Sequence, residues 1–370
     1  MNILIFFIIL FVLVIVHEFG HFSTAKKFGI RVDEFGFGFP PKLFGWKKGE
    51  TEYTLNALPF GGFVKIFGDT PDAFNALDDQ TINSADYERS FIGKPKWQQA
   101  IVLFAGVFAN FVLAWLLFSV GFMSGLPTSV GSQSEGQVLK NIHLVVVSVL
   151  PNSPAQDAGL KSGDKIIKVE SGQDSIPEIN PDTLKSFILA HPNEELQIEY
   201  LRGKEESQEV AVKPKVNENG KPAIGISMDQ IGTAKLSLIP ALFEGLRLSL
   251  FLTKATAVGL FTFITEGITG RGSLDDVTGP VGLVGIVGDA YEFGFAYLLS
   301  FAALISINLA IINLLPFPAL DGGRLFFLLI EKIKGSPLNQ KAVNMANIIG
   351  FSVLIIFMLV ITFKDVAKLL

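Results

Sequence analysis

Long apolar runs separated by short basic clusters dominate the pattern of this chain. A membrane span needs ~20 mostly apolar residues to cross ~30 Å of hydrocarbon, and Ile3–Phe22, Gln99–Met123, Phe293–Leu315 and Val343–Phe363 meet that requirement. Each predicts a transmembrane helix. A fifth stretch, Leu238–Thr265, carries Glu244, Arg247 and Lys254 at a spacing that leaves an amphipathic face, so a helix lying on the membrane is expected there. Between the second and third spans, Leu126–Gly232 changes character. Charges become frequent, Phe nearly vanishes, and short apolar segments alternate with turn residues. The expected strands are Ile142–Leu150, Lys165–Val169, Leu196–Leu201, Glu209–Val212 and Ile224–Met228, with a helix over Asp182–Ala190 and Asp182 near its cap. A second region, Val32–Gly68, alternates apolar residues with glycine and proline and predicts several short strands. Its apolarity suggests a sheet that dips into the membrane, where open backbone is tolerated only against protein or a water-filled cavity. A sheet packed on the cytoplasmic surface is the alternative. Asp69–Glu88 is polar and acidic, and reads as a surface loop.

Composition agrees with a membrane protein: 49% of the 370 residues are hydrophobic and 34 are Phe, more than one water-soluble core of this length needs. No Lys or Arg precedes the first apolar run and no small-residue cleavage site follows it, so that span is expected to stay attached. Lys26, Lys27 and Arg31 follow it, Arg89, Lys94 and Lys96 precede the second span, and Arg324, Lys332, Lys334 and Lys341 lie between the last two. By the positive-inside rule those ends are cytoplasmic, which puts both termini and the long polar segment outside. The chain has no Cys, so that segment holds together without disulfides. A net charge of −5 argues against nucleic acid as a partner.

His17, Glu18 and His21 spell HExxH at the end of the first apolar helix. Positions four apart share a helix face, so both imidazoles can reach one metal with Glu18 beside its open position. By chance the pattern occurs in about one chain in a hundred of this length, and here it sits in an apolar span, where ionisable groups are usually functional. A catalytic zinc wants three protein ligands and an open position for water. The residues just after His21 offer none. Asn308–Arg324 does: Pro316 and Pro318 break a long apolar run that ends in Asp321, Gly322 and Gly323. Prolines interrupt the helix and glycines permit close approach, so Asp321 is expected at membrane depth on non-helical chain. A buried lone carboxylate there is expensive unless it meets a cation, so metal ligation is the economical reading, with an aspartate capping the next helix as the alternative. Two histidines and an intramembrane aspartate would also suit a zinc transporter, and a non-enzymatic peptide receptor is a further class. The transporter leaves Glu18 between the histidines unexplained, and the receptor is opposed by the filling of every catalytic position.

Two resemblances sharpen this reading. Pro151–Val169, PNSPAQDAGLKSGDKIIKV, resembles the start of a PDZ domain, which binds an extended peptide, often by its C-terminus, beside a strand edge. HExxH in the first span, NxxPxPxLDG over Asn313–Gly322 and a PDZ-like insertion between them resemble the site-2 protease family of intramembrane zinc metalloproteases, in its bacterial RseP/RasP-like branch, along essentially the whole chain. The resemblance implies zinc held by His17, His21 and Asp321, Glu18 as general base, and Asn313 on the substrate or its oxyanion. It further implies substrate contacts at Gly36 and Gly38, at Leu58, Phe60, Gly61 and Gly62 of a membrane-dipping hairpin, and at Pro316 and Pro318. Enteric members carry two tandem PDZ domains, whereas this chain has room for one. The expected fold is a polytopic α-helical membrane protein of about four transmembrane helices, with a membrane-dipping β-hairpin or sheet and an inserted α+β PDZ domain. Its expected parts are a membrane domain (1–125), the PDZ-like domain (126–232), a peripheral segment (233–290) and a second membrane domain (291–370). The implied activity is cleavage within the spans of single-span membrane proteins, such as an anti-sigma factor or a remnant signal peptide, by a zinc metalloendopeptidase. It would sit in the lipid bilayer of a bacterial inner membrane, with the PDZ-like domain on the extracytoplasmic side.

Overall fold

The computed structural model describes residues 2–69, 84–132, 139–203, 206–216, 220–270 and 277–367. The chain begins with helix α1 (Asn2–Lys27), strands β1 (Val32–Lys48) and β2 (Thr51–Ile66), a short α2 (Ser84–Glu88) and the long α3 (Lys96–Ser124). Then come β3 (Leu126–Ser129), β4 (Lys140–Val149), α4 (Pro154–Asp157), β5 (Lys165–Ser171), β6 (Asp174–Ser175), α5 (Pro181–Ala190), β7 (Leu196–Leu201), β8 (Gln208–Val212), β9 (Lys215–Val216), β10 (Pro222–Ala223) and β11 (Ile226–Ala234). Five helices follow: α6 (Leu238–Ile268), α7 (Pro280–Phe293), α8 (Phe295–Leu314), α9 (Asp321–Lys334) and α10 (Gln340–Ala367). Most of the polar loop foreseen at Asp69–Glu88 lies outside the described residues; its end forms α2.

Five of the described helices, α1, α3, α6, α8 and α10, are long and apolar enough to cross a membrane, one more than the four foreseen. The addition is α6, which at 31 residues exceeds the length a span needs. The residues form two compact units, one of 1–117, 245–287 and 302–370, the other of 118–244 and 288–301.

In the first unit β1 and β2 pair antiparallel, and each folds back on itself. Phe35 pairs with both Val64 and Tyr53, and Gly36 with both Phe63 and Thr54, while Trp46 pairs with Tyr53. The two strands therefore make a four-layered ribbon in the order 42–48, 51–56, 32–37, 62–66, which accounts for the several short strands the pattern predicts. Pro40 and Pro41 mark the bend in β1, since proline brings no N–H to a ladder. The ribbon is tied to α1 and α3 by a buried cluster of Ala25, Ile30, Val32, Ile66, Phe91, Val102 and Leu103. Each large member contributes ~1.5–3 kcal/mol by leaving water. Backbone bonds from Arg31 N to Arg89 O and from Phe67 N to Arg31 O fix its height on α1.

In the second unit the strands run β3-β11-β4-β5-β7-β8, with β6 on β5, all antiparallel. Leu196, Ile198 and Tyr200 alternate inward along β7 and meet Leu144, Val146, Ile166, Val169, Leu184, Ile188 and Ile224 in one core. Helix α5 starts one residue earlier than foreseen, with Asp182 near its cap as expected: the cap itself is Asn180, whose Oδ1 accepts from the amides of Asp182 and Thr183. β4 is flanked by β11 and β5, whereas α5 lies beside β10 and β11. β11 pairs with β4 from Ile226 and with β3 only from Ile231, so its other edge over 226–230 has no ladder partner among the described residues.

Candidate metal centre

The helical spacing of His17 and His21 sets both rings on one face of α1, where each is 7% exposed. The rings meet edge to face, with centroids 4.8 Å apart. Asp321 reaches them from 304 positions away in the chain, its Oδ2 lying 3.0 Å from His17 Nε2 and 3.2 Å from His21 Nε2. The two Nε2 atoms are themselves 3.2 Å apart. Three donors on a tetrahedral ion with bonds of ~2.0–2.1 Å stand about 3.3 Å from one another. The spacing and the two-imidazole, one-carboxylate donor set thus fit zinc, and these three residues form a metal-competent group among the described ones.

Asp321 is not delivered on open chain as foreseen. It is the first residue of α9, whose cap position is held by Leu320 without a side-chain bond. What is open is the segment before it: α8 stops at Leu314, Pro316 and Pro318 follow, and Ala319 takes φ +76 with its N–H held by Asn347 Oδ1 at 3.1 Å. Gly322 and Gly323 are both buried, and a side chain on either would strike the carbonyls of Leu314, Leu315 or Phe317. That close packing turns the carboxylate back towards α1.

Glu18 lies against the ribbon, near Gly62 and the Val64 backbone. Gly62 lies beside Ile15 and Glu18, and Gly61 beside Val14, so the outer strand 62–66 runs along the motif helix. Gly36 is the Cα partner of Phe63, while Gly38, at φ +81, lies against the Leu58 carbonyl and accepts from Asn56 Nδ2 at 3.0 Å. Leu58 is exposed; Phe60 is within β2 but its side chain lies outside the described ones. Asn313 sits half-buried in the last turn of α8. Pro316 is exposed, and Pro318 packs on Gly350 of α10 rather than on the histidines.

Three positions the sequence reading did not single out support the rings. Val102, Gly106 and Asn110 stand one turn apart on α3. His21 Nδ1–H donates to Val102 O at 2.8 Å, the Asn110 amide lies 3.2 Å from His17 Nδ1, and a Cβ at Gly106 would stand 2.7 Å from His21 Cε1. Such a backbone carbonyl on the far ring nitrogen is how metal-ligating histidines are commonly oriented. A lone Asn inside an apolar span was the available signal.

This geometry defines a membrane protein with a metallohydrolase-type centre. The family model of peptidase family M50 matches residues 5–357, and the chain belongs to that family, the zinc metalloproteases of site-2 protease type. It is 32% identical to the zinc metalloprotease RasP of Geobacillus kaustophilus over 437 aligned residues, covering 99% of this chain and 98% of the relative. It is 30% identical to the regulator of sigma-W protease RasP of Bacillus subtilis over 446, covering 100% and 99%. A Clostridium perfringens protein with a provisional zinc metalloprotease name is 37% identical over 355, covering 96% and 95%. Among solved structures, the PDZ domain of an SdrC-like protein from Listeria monocytogenes is 23% identical, covering 23% of this chain and 86% of that one, with a TM-score of 0.20.

Proposed function

We propose that this zinc metalloprotease cuts peptide bonds inside the membrane spans of single-span proteins, with His17, His21 and Asp321 as zinc ligands and Glu18 as general base. The observation that carries the reading is the convergence within 3.2 Å of Asp321 and the two histidines of α1, a helix long enough to span, beside a carboxylate and a strand edge. Zinc bound there supplies Lewis-acid chemistry, acidifying water and polarising a carbonyl oxygen. Glu18 takes a proton from the attacking water and returns it to the leaving amine nitrogen. The edge of strand 62–66, next to Glu18, supports an extended substrate, because a helical peptide shields the bonds to be cut. Asn313 donates to the developing oxyanion, a role worth ~2.7–4 kcal/mol where such donors have been removed.

The open edge of β11 over 226–230, facing α5, takes a peptide C-terminus, and screens substrates on the extracytoplasmic side of a bacterial inner membrane. Basic residues at the opposite helix ends support that orientation. An anti-sigma factor or a remnant signal peptide is the substrate class this arrangement suits. The test is cleavage of a truncated single-span reporter by the purified protein in detergent, wild type against Glu18→Gln at equal zinc content. Cleavage by wild type alone supports the reading. Equal processing by both refutes it, and binding without cleavage by either favours a receptor.

A further inference from the structure

The two histidines are supported differently, and the difference concerns Asn110. A ring that offers its Nε2 lone pair to a cation keeps its proton on Nδ1 and must donate it to something. His21 donates to the Val102 carbonyl, which can only accept, so one tautomer is fixed. His17 faces an amide instead. An amide is donor at one end and acceptor at the other, and a half-turn about χ2 exchanges them.

Asn110 is wholly buried and presents Nδ2 to His17 Nδ1 at 3.2 Å, while its Oδ1 is buried without a hydrogen-bond partner. That orientation suits a His17 whose Nε2–H donates to Asp321 Oδ2 at 3.0 Å. With Nε2 committed to a cation, the turned amide brings Oδ1 against Nδ1–H and gives the orphaned acceptor its partner. We infer that Asn110 is the positioning residue for His17, turning its amide to match the tautomer the ring needs for metal binding. The inference rests on the metal centre proposed above and adds to it a specific dependence on one side chain.

A plain packing role is served by other atoms. The contact between α3 and α8 here is Ser306 Oγ donating to the Asn110 main-chain carbonyl at 2.8 Å, which any residue at 110 would supply. The side chain is thus left to His17.

The experiment uses the full chain in detergent, with zinc affinity measured by chelator competition and ligand geometry by the absorption of the cobalt-substituted protein. Asn110→Leu, similar in size but apolar, is expected to weaken zinc binding 10–100-fold and alter the cobalt spectrum. Asn110→Asp keeps the acceptor and is expected to restore both to within about threefold. Wild-type affinity and spectrum in Asn110→Leu would overturn the inference, as would equal weakening in Leu and Asp variants, which would mark volume as the cause. Where Asn110→Leu does not fold, Asn110→Ala against Asn110→Asp gives the same comparison. Wild-type protein that binds no zinc would overturn the metal centre itself, and so separates the two failures.

Discussion

Replacing Gly106 by alanine tests whether α3 positions the histidines. The new Cβ would stand 2.7 Å from His21 Cε1 and 2.8 Å from His17 Cε1, whereas carbon atoms rest at ~3.5–4.0 Å. His21 Nε2 stands closer still, so one or both rings must retreat by at least about 0.8 Å, some four times the ±0.2 Å that a metal site tolerates. Overpacking costs about 1–3 kcal/mol, and alanine recovers ~1 kcal/mol in helix propensity. Stability should therefore fall by no more than about 2 kcal/mol while zinc affinity falls at least 10–100-fold. The assay is chelator competition in detergent beside a thermal melt. Gly259→Ala and Gly267→Ala on α6, where an added Cβ meets nothing within 4 Å, are the controls, expected to bind zinc normally and to melt at or above wild type. Wild-type zinc affinity and cleavage in Gly106→Ala would refute the argument.

Other expectations follow from contacts away from the rings. Asp164 is fully buried, holds Arg202 through two bonds of 2.7 Å and accepts from Lys161 N, so Asp164→Ala should cost about 3–5 kcal/mol. Limited proteolysis of the full chain should then cut within 139–234 first, and unchanged protection would count against it. Asn56→Ala removes the buried donor to Gly38 O, which should cost about 1–3 kcal/mol and loosen the ribbon, read as lowered reporter cleavage at normal zinc content. The Phe187 carbonyl, accepting from His191 Nδ1, raises the His191 pKa above its ordinary 6.5, helped by Asp174. A raised value means stability present below pH 6.5 and lost as pH rises through the folded value. Protection of this domain should thus fall as pH rises above 6.5 in wild type and stay flat in His191→Ala.

The chemistry was more legible than its support. HExxH and the Asp321 segment stand out because ionisable groups in apolar runs carry a large penalty without a partner. Asp321 was expected on open chain, since Pro316 and Pro318 advertise a break, but the break ends at Leu320 and helix resumes with the aspartate itself. Val102 acts through a backbone carbonyl, which no side-chain pattern reports, and Asn110 differs from a packing residue only by what it faces. Which strands lie side by side was not legible, for a topological reason. β4 and β11 are some 80 positions apart, and strand alternation reveals burial but not which neighbour covers which edge.

Leu126 pairs with Ala234, and Leu236 N donates to the Phe122 carbonyl, so the chain leaves α3 and returns towards α6 through two adjacent, hydrogen-bonded strands. Everything between them is, topologically, the tip of a hairpin. A tip can be enlarged, doubled or cut away at small cost, because lengthening a loop adds only ~0.6 kcal/mol of closure entropy per doubling. The inserted segment is thus a cassette. Joining Ser129 to Ile231 through an Asn-Gly turn should leave the membrane helices without the inserted sheet, and the same seam is where evolution could splice in a second copy.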